Sequence, residues 1–261
     1  MKSYFYLNCF KFFFLLLTIM FLSCFKEKKC IDADGNIYKT IMIGNQLWMA
    51  ENLKTTHYND GTPIPSGYFN LDWVKLRTGA YSTYPYNNDS ISQATCELDC
   101  SKIYGNLYNW YAIYHKNICP TGFRIPSHED WLILSKHLSP QGSDSLLEFL
   151  PINNKAGSML KSKGTIEDND GLWLKDNLLP LNEYGTNISG FNAYPGGYRN
   201  CNSLNGGYFE WMGKVSYYWS SSENQLNNNM AWAQEMWYHD KNIISFYHNK
   251  WTGFNVRCIG N

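Results

Sequence analysis

Apolar residues are distributed along this chain in two different ways. Residues 12–22 form one greasy run, Phe-Phe-Phe-Leu-Leu-Leu-Thr-Ile-Met-Phe-Leu, whereas beyond Cys30 apolar positions come in short stretches separated by Gly, Asn, Asp and Pro. Asp34-Gly35 between extended segments signals a hairpin turn. Ile37 to Ile43 reads as a strand, Gly44-Asn45 as a turn, and Gln46 to Leu53 as the next strand. Residues 55–100 have no helical periodicity, yet aromatics recur every few positions, which predicts ordered loop rather than linker. The clearest helix follows Pro126: Ser127 caps it, Glu129 and Asp130 fill its first turn, and Trp131, Leu134 and Leu138 share one face. Ser143 to Leu150 predicts a second short helix stopped by Pro151, and Asn154 to Ser162 a third. Tyr217–Ser221, Met230–Gln234 and Ile243–Tyr247 read as strands. The last strand is Gly253 to Ile259, whose alternation sets Phe254, Val256 and Cys258 on one face and Arg257 on the other, so that Cys258 points at the core.

The apolar run is part of a leader. Residues 1–23 carry Lys2 and Lys11, then the run, then Ser23 before Cys24. A positive start, an apolar middle and a small residue before the cut make a secretory signal. The run is too short to cross a hydrocarbon core of roughly 30 Å. A cysteine directly after the small residue resembles a bacterial lipoprotein signal, with Phe21 where leucine is usual. In this reading Cys24 is lipidated, 24–29 is a charged tether, and residues 30–261 fold outside the cytoplasm, anchored to the cell outer membrane. The tether lacks an acid-rich run, so its periplasmic or surface orientation stays open.

With the leader's two lysines gone, 20 basic residues face 22 acidic ones. No basic surplus exists to neutralise phosphates, which excludes nucleic acid as a partner. Twenty Tyr, ten Trp and twenty Gly predict a loop-rich domain with an aromatic core. Six cysteines follow Cys24: Cys30, Cys96, Cys100, Cys119, Cys201 and Cys258. Outside the cytoplasm most of them should be disulfides, whose pairing spacing does not choose. Zinc is the competing reading for Cys96 and Cys100, but no second close Cys/His pair follows. No cofactor is expected. Asp32, Asp34 and Asn36 would admit a structural calcium ion, although the glycine falls too early for an EF-hand and a plain turn explains them.

Several blocks together resemble one family. They are Ile37 to Thr55, Tyr104 to Ala112, Cys119 to Trp131, Gly185 to Phe191, Pro195 to Arg199, Tyr218 to Glu223 and Gly253 to Cys258. In this order, over about residues 30–260, they resemble the Fibrobacter succinogenes major paralogous domain of bacterial surface lipoproteins. That family is similar to the formylglycine-generating-enzyme and C-type-lectin-like superfamily. The resemblance implies an α+β, C-type-lectin-like domain with two main short helices, small twisted antiparallel sheets, long ordered loops and termini brought close together. It also implies a Cys119–Cys258 bridge, joining the segment before the helix to the last strand.

The resemblance implies a fold more than an activity. Aromatic faces stack on sugars while amides and carboxylates bond hydroxyls, so the candidates for a glycan- or protein-binding site are Trp211, Trp232, Trp237, Asn87, Asn88, Asp89 and Glu223. Against each tryptophan stands a place in the core. The calcium-dependent lectin motifs Glu-Pro-Asn, Gln-Pro-Asp and Trp-Asn-Asp are absent. An oxidase of the formylglycine-generating type needs two close cysteines in the C-terminal part, where only Cys201 and Cys258 stand, far apart in sequence. A hydrolase finds no nucleophile or metal motif around the six histidines, and whether Glu51, Glu210, Glu223 or Glu235 form an acid/base pair depends on spacing in the fold. The expectation is therefore a non-enzymatic envelope module that binds glycan or protein, with a purely structural surface protein or a carbohydrate-active hydrolase as the alternatives.

Overall fold

A computed structural model describes residues 30–114, 117–140, 154–176, 185–202 and 206–261. The leader, the lipidation site Cys24, the tether and the predicted helix Ser143–Leu150 lie outside the described residues. The fold is mixed α+β, mostly sheet with short helices. Strands are β1 (Cys30–Ile31), β2 (Ile37–Tyr38), β3 (Thr40–Ile43), β4 (Gln46–Met49), β5 (Tyr81–Ser82), β6 (Leu107–Tyr108), β7 (Phe123–Arg124), β8 (Gly196–Arg199), β9 (Phe209–Met212), β10 (Val215–Glu223), β11 (Met230–Trp237), β12 (Ile244–Asn249) and β13 (Ile259–Gly260). The helices are α1 (Asn70–Trp73), α2 (Ser90–Thr95), α3 (Ser101–Tyr104), α4 (Trp110–Tyr114), α5 (His128–Leu138) and α6 (Ala156–Leu160).

The largest sheet has the order β12-β11-β10-β8-β9. Its antiparallel ladders β10–β11 and β11–β12 carry the β-branched and aromatic residues that favour pleated backbone. Among the named strands, one pairing departs from the expected all-antiparallel pattern: β8 joins β10 in parallel at Ser216 and Gly197. The second sheet, β3-β4-β13-β7, pairs Ile259 of the C-terminal strand with Trp48 near the start of the described chain.

The expected helix at Ser127 forms as α5. Ser127 Oγ accepts from the Asp130 amide, while the Asp130 carboxylate accepts from the Ser127 amide and, 2.6 and 2.9 Å away, from both arms of Arg124. The apolar face of α5 stacks Trp131 on Trp48 at 4.7 Å and faces Phe191 and Tyr218. Helix α6 replaces the longer Asn154–Ser162 expectation.

Three expectations need correction. The Ile37–Ile43 strand breaks at Lys39 into β2 and β3. The region 55–100 is not all loop: it contains α1, α2 and β5, too short to leave a periodic signature. The Gly253–Ile259 stretch is not one regular strand. It is held by single bridges, Tyr108 to Phe254 and Tyr218 to Asn255, before β13 begins. Both of its faces are buried, so Arg257 lies in the interior and is wholly inaccessible. Its guanidinium donates to Asn52 Oδ1, Met49 O, Phe191 O and Asn192 O and stacks over Phe191 at 4.5 Å. Burial pushes its pKa down, and the backbone carbonyls stand in for a carboxylate.

Disulfides join Cys96 to Cys100 and Cys119 to Cys258. The first removes both thiolates from the zinc reading. Cys201 remains a half-buried thiol, and Cys30 is buried in the core.

Candidate functional site

The two faces of β10 and β11 divide the aromatic residues. Tyr218 and Met236 pack into the layer that holds Trp48, Trp131 and Phe191, while Val215, Tyr217, Trp219, Ala231 and Ala233 pack with Phe254 and Tyr108. The antiparallel registers Ala231–His248, Ala233–Phe246 and Glu235–Ile244 carry this second face across to β12. Tyr198 on β8 pairs with Glu210 on β9 and extends it the other way. One end of this face opens into a cleft of about 600 Å³, lined by Tyr198, Asn200, Cys201, Asn202, Glu210, Trp211, Tyr217, His248, Asn249, Trp251, Thr252 and Phe254.

Strand alternation alone would turn Trp211 away from Glu210. A backbone kink turns it back. Trp211 has φ +64 and its cross-strand neighbour Gly197 has φ +62, both left-handed. A Cβ on Gly197 would stand 2.3 Å from the Glu210 carbonyl oxygen and 2.7 Å from the Met212 amide nitrogen, so only glycine allows this approach. A tryptophan in this region costs on the order of 1–3 kcal/mol, and such strain clusters at functional sites. The kink brings the Trp211 ring to 5.2 Å from Tyr198 and 5.1 Å from Trp237, and leaves it 41% exposed.

Two carboxylates accompany the rings, Glu210 in the cleft lining and Glu235 behind His248. Glu210 accepts from the Tyr198 hydroxyl and from Asn200 Nδ2, each at 2.7 Å. Glu235 accepts from Trp237 Nε1 at 2.9 Å and meets His248 Nε2 at 2.8 Å. Burial raises the Tyr198 phenol above its ordinary pKa, and the hydrogen bond to Glu210 and the charges of Glu210, Cys201 and Glu235 add to it. Tyr217 is raised by burial and then by Glu235. Both phenols therefore stay protonated donors.

Of the residues singled out from sequence, Trp211 lines the cleft and Trp237 supports it. Trp232 does not: it is 7% exposed, with its ring 4.0 Å from His128 and 3.9 Å from Tyr247 on the other side of the sheet. Asp89 caps α2 and accepts from Tyr84, while Asn88 holds the Phe209 carbonyl; Asn87 is exposed beside them. None of the three lines the cleft. Glu223 pairs with Lys250 at 2.8 Å and does not line it. The Asp32 trio is a turn: Asp32 Oδ1 accepts from the amides of Asp34 and Asn36, and Asp34 bonds Thr56 and His57. Tyr198, Asn200, Tyr217, His248 and Trp251 are cleft residues that sequence reasoning missed. The signal for His248 lay in the alternation of β12, where Phe246 and His248 share a face, but it needed the register with β11 to become meaningful.

The profile of the Fibrobacter succinogenes major domain matches residues 41–260. No curated protein and no solved structure matches the chain.

Proposed function

We propose that this chain, which belongs to the Fibrobacter succinogenes major domain family, is an exported, lipid-anchored envelope protein whose β8–β12 cleft binds a glycan without transforming it. The observation that carries the reading is Trp211: a strained, half-exposed indole turned into a cleft whose other walls are phenols and amides. A sugar ring needs an apolar face to stack on and bidentate polar groups for its hydroxyls. Trp211 supplies the first, and Asn200, Asn202, Asn249 and Tyr198 the second.

Two features favour binding over chemistry. Glu210 and Glu235 are each engaged by two side chains, an arrangement that fixes them as acceptors. Cys258 is bridged to Cys119, which removes it as a partner for Cys201 in a cysteine-pair oxidase. The C-type-lectin-like assignment rests on the pairing of β4 with β13 and on the bridge that locks them near α5. The lipid anchor rests on the leader and Cys24 alone.

Two experiments test the parts separately. Cys24→Ala should move the protein from the membrane fraction to the soluble one; full retention on membranes would refute the anchor. The soluble Cys24→Ala chain, screened on a glycan array with calcium and again with chelator, should bind in both conditions. Trp211→Ala should weaken that binding at least about tenfold, the scale of a central aromatic anchor, while Trp232→Ala should leave it unchanged in protein that remains folded. An array blank under both conditions would sink the glycan reading.

A further inference from the structure

We infer that the glycan this cleft selects carries a free, protonated amine, and that glycans bearing carboxylate or sulfate are rejected. The inference rests on the glycan reading above and names the substrate class of the same site.

Charge and aromatic geometry carry it together. Glu210 lines the cleft, and Glu235 lies directly behind His248. No lysine or arginine lines the cleft among the described residues. Among the described residues, each Glu210 oxygen receives one hydrogen bond, from Asn200 at Oε1 and from Tyr198 at Oε2. A carboxylate has about four acceptor positions, so each oxygen keeps one for a ligand N–H. The rings add to this. Trp211 and Tyr198 line the cleft, and the faces of such rings attract cations through their quadrupoles. The protein already uses that attraction on the ring of Trp251, over which the Arg77 guanidinium, itself outside the cleft lining, sits at 4.0 Å while donating to the carbonyls of Val74 and Leu76. An ammonium on a sugar stacked against Trp211 would meet Glu210 and the ring faces at once. A uronate or sulfate there would meet the Glu210 carboxylate, the one acid that lines the cleft among the described residues, in a partly enclosed, weakly screened space.

Three oligosaccharides that differ in charge decide the matter: a β-1,4-glucosamine oligomer, its fully N-acetylated counterpart of the same length, and a glucuronate-containing oligomer. Titrated calorimetrically into the full soluble Cys24→Ala chain at low salt, the amine oligomer should bind roughly tenfold tighter than the acetylated one, and the acidic one should not register. Glu210→Gln, which keeps the shape and an acceptor for Tyr198, should bring the first two within a factor of about two, and so should raising the salt on the unmutated site. The salt arm needs no variant and stands if Glu210→Gln folds poorly. The inference is overturned if the acetylated or acidic oligomer binds as tightly as the amine, or if none of the three binds. In that last case a glycan array that still shows binding to uncharged or acidic sugars would leave the glycan reading standing, and a blank array would remove both.

Discussion

Cys119→Ala and Cys258→Ala should each lower the stability of this protein by about 5 kcal/mol, and the double variant should lose little more. The two residues are 139 positions apart in sequence and both are fully buried. In the chain-entropy account, a bridge over a loop of that length removes about 5 kcal/mol worth of freedom from the unfolded ensemble. A Cys96–Cys100 bridge, with a separation of four, constrains far less, about 2 kcal/mol on the same scale. The long bridge also has local work. It ties the segment that enters β7 to the residue before β13, where Met49 donates to the Cys258 carbonyl, so its loss loosens the sheet that joins both ends of the described chain. A marginal domain holds some 5–15 kcal/mol in total, so either single variant should be partly unfolded at physiological temperature. Urea denaturation of the three variants, followed by tryptophan fluorescence, measures the effect. Additive losses in the double variant would mean that the two sulfurs are not partners in the folded protein.

How much of this was legible in sequence depends on whether the determinant was local. The α5 start is local: Ser127 and Asp130 satisfy one another's backbone amides within four residues, and the structure keeps that arrangement. The long strands of the central sheet announce themselves by composition, and β10 to β12 lie where their apolar stretches placed them. Elements of two to six residues between 55 and 108 did not, because no period can establish itself over so few positions. The burial of Arg257 was invisible for another reason. Alternation shows that it faces away from Val256, but not that a second packed layer waits there with four backbone and amide acceptors. The cleft shows both limits. Trp211 stands out in sequence only as an aromatic able to stack on a sugar. Its orientation depends on Gly197 across the ladder, and Tyr198 and His248 became site residues only when β8 and β12 took their places in the sheet.

The same aromatic wealth makes the protein sensitive to alkali, and we expect it to unfold steeply above about pH 10. Five tyrosines, Tyr38, Tyr104, Tyr108, Tyr217 and Tyr218, are buried in the core clusters and their partners. Burial raises every one of their pKa values: Tyr104 is pushed up to about 12, and the others also lie above the ordinary phenol value. In the unfolded chain a tyrosine titrates near 10. A group whose folded pKa is raised stabilises fully below the unfolded value, and that stability is lost as pH climbs toward the folded one. Each phenol therefore costs about 1.4 kcal/mol per pH unit above 10, and five together about 7 kcal/mol per unit. Lys161 works in the opposite sense at lower pH. Its ammonium donates to the carbonyls of Trp237 and Asp240, and burial pulls its pKa down to about 8 despite the charge of Asp240. Between pH 8 and about 10.4 the unfolded state binds the extra proton, so stability should rise by up to about 3 kcal/mol across that window. The profile should thus climb gently to a maximum near pH 10 and then collapse within about two units. Phenolate absorbance and far-ultraviolet circular dichroism, recorded on one alkaline titration, test this. The buried tyrosines should ionise in a single cooperative step that coincides with loss of secondary structure. A gradual phenolate titration centred near pH 10 in protein that keeps its circular dichroism would show that these rings are open to solvent, and would remove the packed aromatic layers on which the cleft is built.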